Sequence, residues 1–249
     1  MTPGAEWLVG AAAVATAAAA AGGRAVHYAT CNIRSQWLGR TDWRGRTDTS
    51  AVALTFDDGP GPDTEAVLDV LAARGLRAAF FVVGQQVQRH PSVARRIAAE
   101  GHEIGNHSFS HPMFLSLSPR ATRDELARAQ QTIEDITGVR ATFARPPYGI
   151  RTPAYFAAAR TLGLRVVQWS VAGFDWQPLT ADRVASHVLS GAAPGAIVLL
   201  HDADSEGKRD RRATVESIPM IADGVRVRGL SVAALEALLP SLEVRSMNA

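Results

Sequence analysis

The hydrophobic and polar positions follow two alternating patterns from Ser50 onward. Short apolar runs rich in β-branched and aromatic residues, typical of buried strands, are separated by longer segments with helical spacing. Strands are predicted at Ala51–Phe56, Arg77–Val83, Glu103–Gly105, Thr142–Arg145, Arg165–Val171 and Ala196–Leu200. Helices are predicted at Asp63–Arg74, Pro91–Glu100, Ser118–Thr137, Thr152–Leu162, Thr180–Ser190 and from near Arg212 onward. Repeated strand–helix units predict a parallel α/β sheet, and about six or seven of them closing on themselves would form a regular or distorted barrel.

A different pattern precedes these units. Trp7 to Gly22 is a continuous, mostly alanine stretch, about as long as a short membrane span or the core of a signal peptide. Its flanks are unusual for an export signal, because the residues before it include Glu6 and no lysine or arginine, and an alanine-rich helix packed on protein is the alternative. We expect a membrane anchor or export segment with a linker over residues 1–46, followed by one catalytic domain over residues 47–249. The expected location is therefore membrane-anchored or exported, in the cell envelope.

Composition narrows the functional classes. The chain has 249 residues and a formal net charge of +2, with its arginines dispersed among acidic residues. This length suits a single α/β domain, and the absence of a long basic run or a nucleic-acid motif argues against nucleic-acid binding. Cys31 is the only cysteine, which excludes an intramolecular disulfide framework and a thiolate metal cage.

Two adjacent carboxylates, Asp57 and Asp58, follow the first predicted strand and precede Gly59-Pro60-Gly61-Pro62. This places them at the carboxyl end of a core strand, where α/β folds position their chemistry. Neighbouring carboxylates repel unless a metal, an arginine or both lie between them. An ordinary solvated Asp-Gly-Pro turn is the alternative interpretation of this stretch alone.

A pair of histidines forms the second candidate feature. His107 and His111 lie four residues apart after a short predicted strand, a spacing that lets two imidazoles reach one cation from a helical turn or a tight loop. With one of the aspartates they would give two histidines and a carboxylate, leaving positions open for water and substrate, as in catalytic rather than structural metal sites.

Three more strand ends carry chemical groups. Arg145-Pro146-Pro147-Tyr148-Gly149 could orient a carboxylate through Arg145, or simply form a stiff turn. The stretch from Trp169 to Trp176 offers aromatic faces that suit sugar rings, although core packing is their commoner use. The apolar strand ending at His201 delivers an imidazole at its carboxyl end.

The ordered series TFDDGP, GNHSFSHP, RPPYG, WSVAGFDW and LLHD resembles the polysaccharide deacetylases with a NodB homology domain, carbohydrate esterase family 4. The similarity extends from about Ser50 to the C-terminal region. It implies a distorted (β/α) barrel with seven or eight strands, and one divalent metal ion, usually zinc.

The resemblance also implies roles for individual residues. Asp57 would be the general base, Arg145 would hold it, and His201 would be the general acid. The metal ligands would be Asp58, His107 and His111. Substrate contacts would come from the Tyr148 backbone N–H and from Pro146, Trp169, Asp175, Trp176 and Leu199.

One departure from the family pattern concerns His201. Many members carry an aspartate where Ala172 stands here, and that carboxylate is expected to tune the acid histidine. Without it we expect the pKa of His201 to be lower than in a typical member, unless Asp175 or Asp202 substitutes.

The predicted function is metal-dependent removal of N-acetyl groups from N-acetylglucosamine-containing glycans, such as chitooligosaccharide or peptidoglycan. An O-acetyl xylan esterase is the alternative within the same enzyme class. A carbohydrate-binding domain with reduced turnover is the alternative from another class, and the departure at Ala172 motivates it.

Overall fold

The computed structural model of the protein describes residues 21–205 and 209–240, and most of the alanine-rich N-terminal stretch lies outside them. Eight parallel strands form one sheet: β1 (Ala51–Asp57), β2 (Ala79–Val82), β3 (Glu103–Asn106), β4 (Phe143–Ala144), β5 (Arg165–Val166), β6 (Val171–Ala172), β7 (Ala196–His201) and β8 (Ser231–Val232). The helices are α1 (21–31), α2 (Thr64–Ala73), α3 (Gly84–Arg89), α4 (Pro91–Ala99), α5 (Pro119–Thr137), α6 (Pro153–Thr161), α7 (Ala181–Gly191), α8 (Arg212–Val227) and α9 (Leu235–Leu238). The predicted α/β class and distorted barrel are confirmed.

The strand order is β5-β4-β3-β2-β1-β7-β6, and β8 pairs with the start of β1. The single strand predicted at Arg165–Val171 is wrong, because this stretch forms two short strands. Val167 N–H donates to Ala144 O on one edge of the sheet (2.8 Å), whereas Ser170 N–H donates to Ile197 O on the other (3.0 Å). The segment from β5 to β6 therefore connects the two edges of the curved sheet. Along it the chain stops pairing with β4 and begins pairing with β7.

Strand β1 shows how the core determines which residues face the barrel interior. Val52, Leu54 and Phe56 belong to the larger apolar cluster between the sheet and the helices, whereas Ala51 and Ala53 belong to the cluster inside the barrel. Because side chains alternate between the two faces of a strand, Thr55 and then Asp57 continue the inner series. The same periodicity on β7 places Ile197 in the inner cluster and directs His201 to that face.

The segment between α1 and β1 lies against the barrel. Asp42 forms a parallel bridge with Val167, and its Oδ2 accepts a hydrogen bond from Arg165 Nε at 2.6 Å. Gly45 N–H donates to Gly195 O and Arg46 N–H to Leu238 O, both at 2.8 Å. The predicted linker thus contains a helix and a docked extended stretch, while the predicted domain boundary at 46/47 stays a prediction. Within the part of the chain described, no helix is both long and apolar enough to span a membrane.

Candidate active site

Asp57 reaches the barrel interior as the last residue of β1 and is 3 % exposed. Its Oδ1 accepts a hydrogen bond from Arg145 Nη1 at 2.7 Å. The guanidinium, wholly buried, also donates to Thr55 Oγ1 (2.7 Å) and to Gln168 O (3.0 Å), and it lies 4.0 Å from the centre of the Phe81 ring. These contacts fix the orientation of the Arg145 guanidinium, and its hydrogen bond to Oδ1 in turn fixes the Asp57 carboxylate.

Asp58 turns away from β1 in the left-handed region, with φ of 77°. Its Oδ1 lies 3.1 Å from His111 Nε2 and 3.5 Å from His107 Nε2. The three side chains each offer a ligand atom, and these atoms all lie within 4.8 Å of one another. The predicted trio is thus brought together, on a loop after β3 rather than on a helix, with His111 also at a positive φ of 58°.

The polar atoms of this cluster fit a divalent cation. His107 Nδ1 lies 2.7 Å from Arg145 O, so it must carry the proton, because a carbonyl can only accept. This leaves Nε2 facing Asp58, where it can donate a proton to the carboxylate in the metal-free protein or offer its lone pair to a metal ion. Asp58 Oδ1 is buried and has no hydrogen-bond partner of acceptable geometry among the described residues.

The ionisation of Asp58 fits the same interpretation. Burial acts against the charged carboxylate, but the nearby His107 and His111 and the charge of His201 outweigh it. The pKa of Asp58 therefore lies well below its ordinary value. An anionic oxygen beside two imidazoles is a typical zinc donor set.

His201 is the β7 residue paired in register with Asp57 on β1. Its Nδ1 lies 2.8 Å from Asp175 Oδ1, and its backbone N–H donates to Asp175 Oδ2 at 2.7 Å. Thr214 Oγ1 also donates to Oδ2 at 2.7 Å, and Arg211 Nη1 donates to Asp175 O at 3.1 Å. Three polar contacts, two from His201 and one from Thr214, therefore hold the Asp175 carboxylate, which in turn orients the His201 imidazole.

This pair bears on the expectation raised by Ala172. Burial lowers the pKa of His201, but the charge of Asp175 and its hydrogen bond outweigh that effect and raise the pKa to about 9. Burial likewise opposes the Asp175 carboxylate, yet His201 lowers the pKa of Asp175. Asp175, three residues beyond Ala172 in the sequence, therefore supplies a negative neighbour to His201, which is the substitution that the sequence left open.

One cleft of about 580 Å³ is lined by Asp57, by the Asp58–His107–His111 cluster and by His201. Its wall includes Trp169, Trp176, Leu199 and the turn at Tyr148 and Gly149. Tyr148 is 57 % exposed, and its ring packs edge-on against His111, with ring centres 4.8 Å apart. Of the predicted substrate residues, Pro146 and Asp175 are buried behind this wall rather than lining the cleft, and Asp175 acts on His201 instead.

Several supporting residues were not predicted from the sequence. Gln168 and Thr55 anchor Arg145, and Thr214 anchors Asp175 from α8. Asp202 was considered only as a neighbour for His201, yet its Oδ2 accepts from Thr64 Oγ1 at 2.5 Å, and burial raises its pKa to about 7. Thr55 could have been recognised by its inner-face position two residues before Asp57, whereas the other contacts depend on long-range packing that has no local sequence signal.

Comparison with known proteins places this site in a family context. A family model described as polysaccharide deacetylase matches residues 44–167. The chain is 37% identical over 211 residues to a chitooligosaccharide deacetylase from Bradyrhizobium sp. (strain ANU 289), covering 84% of this chain and 92% of that protein.

Solved structures show the same likeness. The fold is similar to the Bc1960 peptidoglycan N-acetylglucosamine deacetylase, with a TM-score of 0.76, 30% identity, and coverage of 80% of this chain and 92% of that one. It is also similar to BA3943, a family 4 carbohydrate esterase pseudoenzyme from Bacillus anthracis, with a TM-score of 0.71, 27% identity, and coverage of 80% and 68%.

Proposed function

The chain belongs to the polysaccharide deacetylase family of hydrolases, and from this premise we propose that it is a metal-dependent deacetylase that removes N-acetyl groups from glycans containing N-acetylglucosamine. One observation carries the proposal. Asp57 and His201, each oriented by an ionic partner, occupy register-paired positions on β1 and β7, in the same cleft as the Asp58–His107–His111 cluster.

Asp58, His107 and His111 are proposed to hold one divalent ion, with zinc favoured by the two imidazoles and the carboxylate. When bound, such an ion supplies Lewis acidity, which polarises an acetamide carbonyl and lowers the pKa of water.

Asp57 is proposed as the general base. Its Oδ1 is occupied by Arg145, so Oδ2 is the oxygen that takes the proton from the attacking water. The water oxygen bonds to the acetyl carbon as the carbonyl becomes an oxyanion, which the Tyr148 backbone N–H helps to stabilise. In this arrangement, Asp57 Oδ1 orients the carboxylate through Arg145, and Oδ2 acts as the base.

His201 is proposed as the general acid. Its Nδ1 is engaged by Asp175, so Nε2 is the nitrogen that gives its proton to the departing amine. The carbon–nitrogen bond then breaks and releases acetate and a free amino sugar. An amine leaves only when it is protonated, so a histidine held in its charged form by Asp175 favours an amide substrate over an ester.

The family and the cleft wall support the proposed substrate class. Trp169 and Trp176 offer apolar faces for a sugar ring, and Leu199, 3 % exposed, provides an apolar floor suited to the acetyl methyl group. The relatives named above act, by their names, on chitooligosaccharide and on N-acetylglucosamine of peptidoglycan.

The test is acetate release from chitooligosaccharides, peptidoglycan and O-acetyl xylan, before and after chelation and after adding back zinc. We expect release from the N-acetylated substrates that is lost on chelation and restored by the metal, with a smaller rate on O-acetyl xylan. A faster rate on the ester would reverse the substrate assignment, and release unaffected by chelation would refute metal dependence.

We also propose that the alanine-rich stretch from Trp7 to Gly22 attaches the enzyme to a membrane or carries it across one. Cell fractionation of the full chain should place it with membranes or outside the cytoplasm. Recovery of the full chain wholly in the cytoplasmic fraction would contradict this.

A further inference from the structure

Arg151 is a buried cation that the proposed chemistry does not use. It is 1 % exposed, and the hydrogen bonds of its guanidinium to the described residues go to backbone carbonyl oxygens rather than to a carboxylate. Burial lowers the pKa of its guanidinium, which reflects the cost of removing a charge from water. Such a cost is sustained only where other groups supply compensating negative potential.

Helix α1 supplies that potential through its C-terminal end. Arg151 Nη2 donates to Asn32 O at 2.5 Å and to Ala29 O at 3.4 Å, and its backbone N–H donates to Thr30 O at 3.0 Å. The last carbonyls of a helix lack partners within the helix and carry the negative end of its dipole. The end of α1 therefore acts as the counter-charge of Arg151.

The other side of the same guanidinium holds the cleft wall. Arg151 Nη1 donates to Gly149 O at 2.8 Å, and Gln168 Nε2 donates to the same oxygen at 3.0 Å. Gly149 follows Tyr148, and both residues have positive φ, 68° and 58°. A Cβ at Gly149 would lie 2.8 Å from the Trp169 ring, so this turn is tightly confined between its neighbours.

We propose that Arg151 is a positioning residue that couples the C-terminal end of α1 to the Pro147–Gly149 turn, so that the N-terminal helix forms part of the support of the active site. The proposal rests on the proposed function, because it takes the Tyr148 N–H as an oxyanion donor. A displacement of such a donor by about 1 Å costs rate rather than substrate affinity.

The first test compares Arg151→Met and Arg151→Lys with wild type, all as full chains loaded with zinc. We expect Arg151→Met to lower kcat for acetate release about tenfold to a hundredfold, with KM changed less than about threefold and metal content unchanged. Arg151→Lys, which keeps a donor and a charge, should recover part of kcat. The control is Arg160→Met, which removes an exposed arginine from α6 and should leave kcat unchanged.

The second test approaches the contact from α1. Thr30→Pro removes a hydrogen bond from the last turn of the helix and should lower kcat as Arg151→Met does, whereas Ala25→Pro breaks the helix upstream of that turn and should not. The double variant Arg151→Met/Thr30→Pro should be no more than about threefold slower than the worse single variant, because both changes break one coupling.

The results of these tests distinguish a failure of the Arg151 coupling from a failure of the proposed function. Wild type without deacetylase activity would refute the proposed function. Active wild type with unchanged kcat in Arg151→Met, or multiplicative effects in the double variant, would overturn the coupling alone. If Arg151→Met does not fold, Arg151→Lys and Thr30→Pro carry the same comparison, and unchanged kcat in both would overturn it.

Discussion

Asp57 and Asp58 are adjacent in sequence but face different partners. Asp57 continues the inner face of β1 and contacts Arg145, whereas the left-handed backbone at Asp58 directs the next carboxylate to His107 and His111. The turn thus separates the proposed base from the proposed metal ligand. Two adjacent residues are suited to two different proposed roles because Asp57 ends the strand and Asp58 leaves it.

This division predicts different consequences for two matched substitutions. Asp57→Asn keeps the shape and should retain bound zinc while losing activity, whereas Asp58→Asn removes an anionic ligand and should lower zinc affinity by at least about tenfold. Zinc titration followed by metal analysis of the two purified variants measures this difference. Equal zinc affinity in both would show that the two roles are assigned wrongly.

The Asp175–His201 pair predicts the pH dependence of the rate. His201 must be protonated to act as the acid, so kcat should fall as pH rises through its pKa, which Asp175 raises to about 9. Asp175→Asn removes that negative charge while burial still lowers the pKa, so the alkaline limb should move to lower pH by about one to three units.

The profiles should be compared with both proteins loaded with the same metal, because a nearby cation lowers the pKa of the imidazole in each. Asp182→Asn, at an exposed position in the first turn of α7, is the control and should leave the limb in place. Overlapping profiles for wild type and Asp175→Asn would show that His201 is not the titrating acid.

At the scale of elements, the register between β1 and β7 brings Asp57 and His201 side by side. The strand ends were predictable from apolar runs that stop at polar residues, and the candidate functional residues were expected at those strand ends. The split of the Arg165–Val171 strand was not predictable, because its apolar pattern does not record that the chain changes pairing partner between Val167 and Ser170.

The stretch after α1 should contribute to stability through Asp42. Its carboxylate and Arg165 are both largely buried, with side chains 8% and 12% exposed. Asp42→Ala would leave the cation without its partner and should lower the free energy of unfolding by about 3 kcal/mol. Chemical denaturation measures this loss, and Asp48→Ala, whose partner Arg46 is exposed, is the matched control expected to change stability little. A loss no larger than that of the control would contradict the docked role of this segment.

At the scale of the whole molecule, the proposed catalytic groups share one cleft of the barrel and are supported by residues distant in sequence. Thr214 on α8 holds Asp175, and Ala29 and Asn32 at the end of α1 hold Arg151. The residues proposed to bear the chemistry could be selected from the sequence because they form compact motifs. Their supports were not, since a buried arginine or threonine acquires its role only when distant elements pack together.

Similarity to both deacetylases and a pseudoenzyme means that the fold alone does not decide turnover. The most direct test is therefore the acetate released from an N-acetylated chitooligosaccharide by the zinc-loaded wild-type chain, beside zinc-loaded Asp57→Asn. The proposed function predicts acetate and free amine in equal amounts from wild type, and a rate at least about a hundredfold lower from Asp57→Asn with zinc still bound. Equal rates for the two zinc-loaded proteins, or no acetate from wild type, would contradict it.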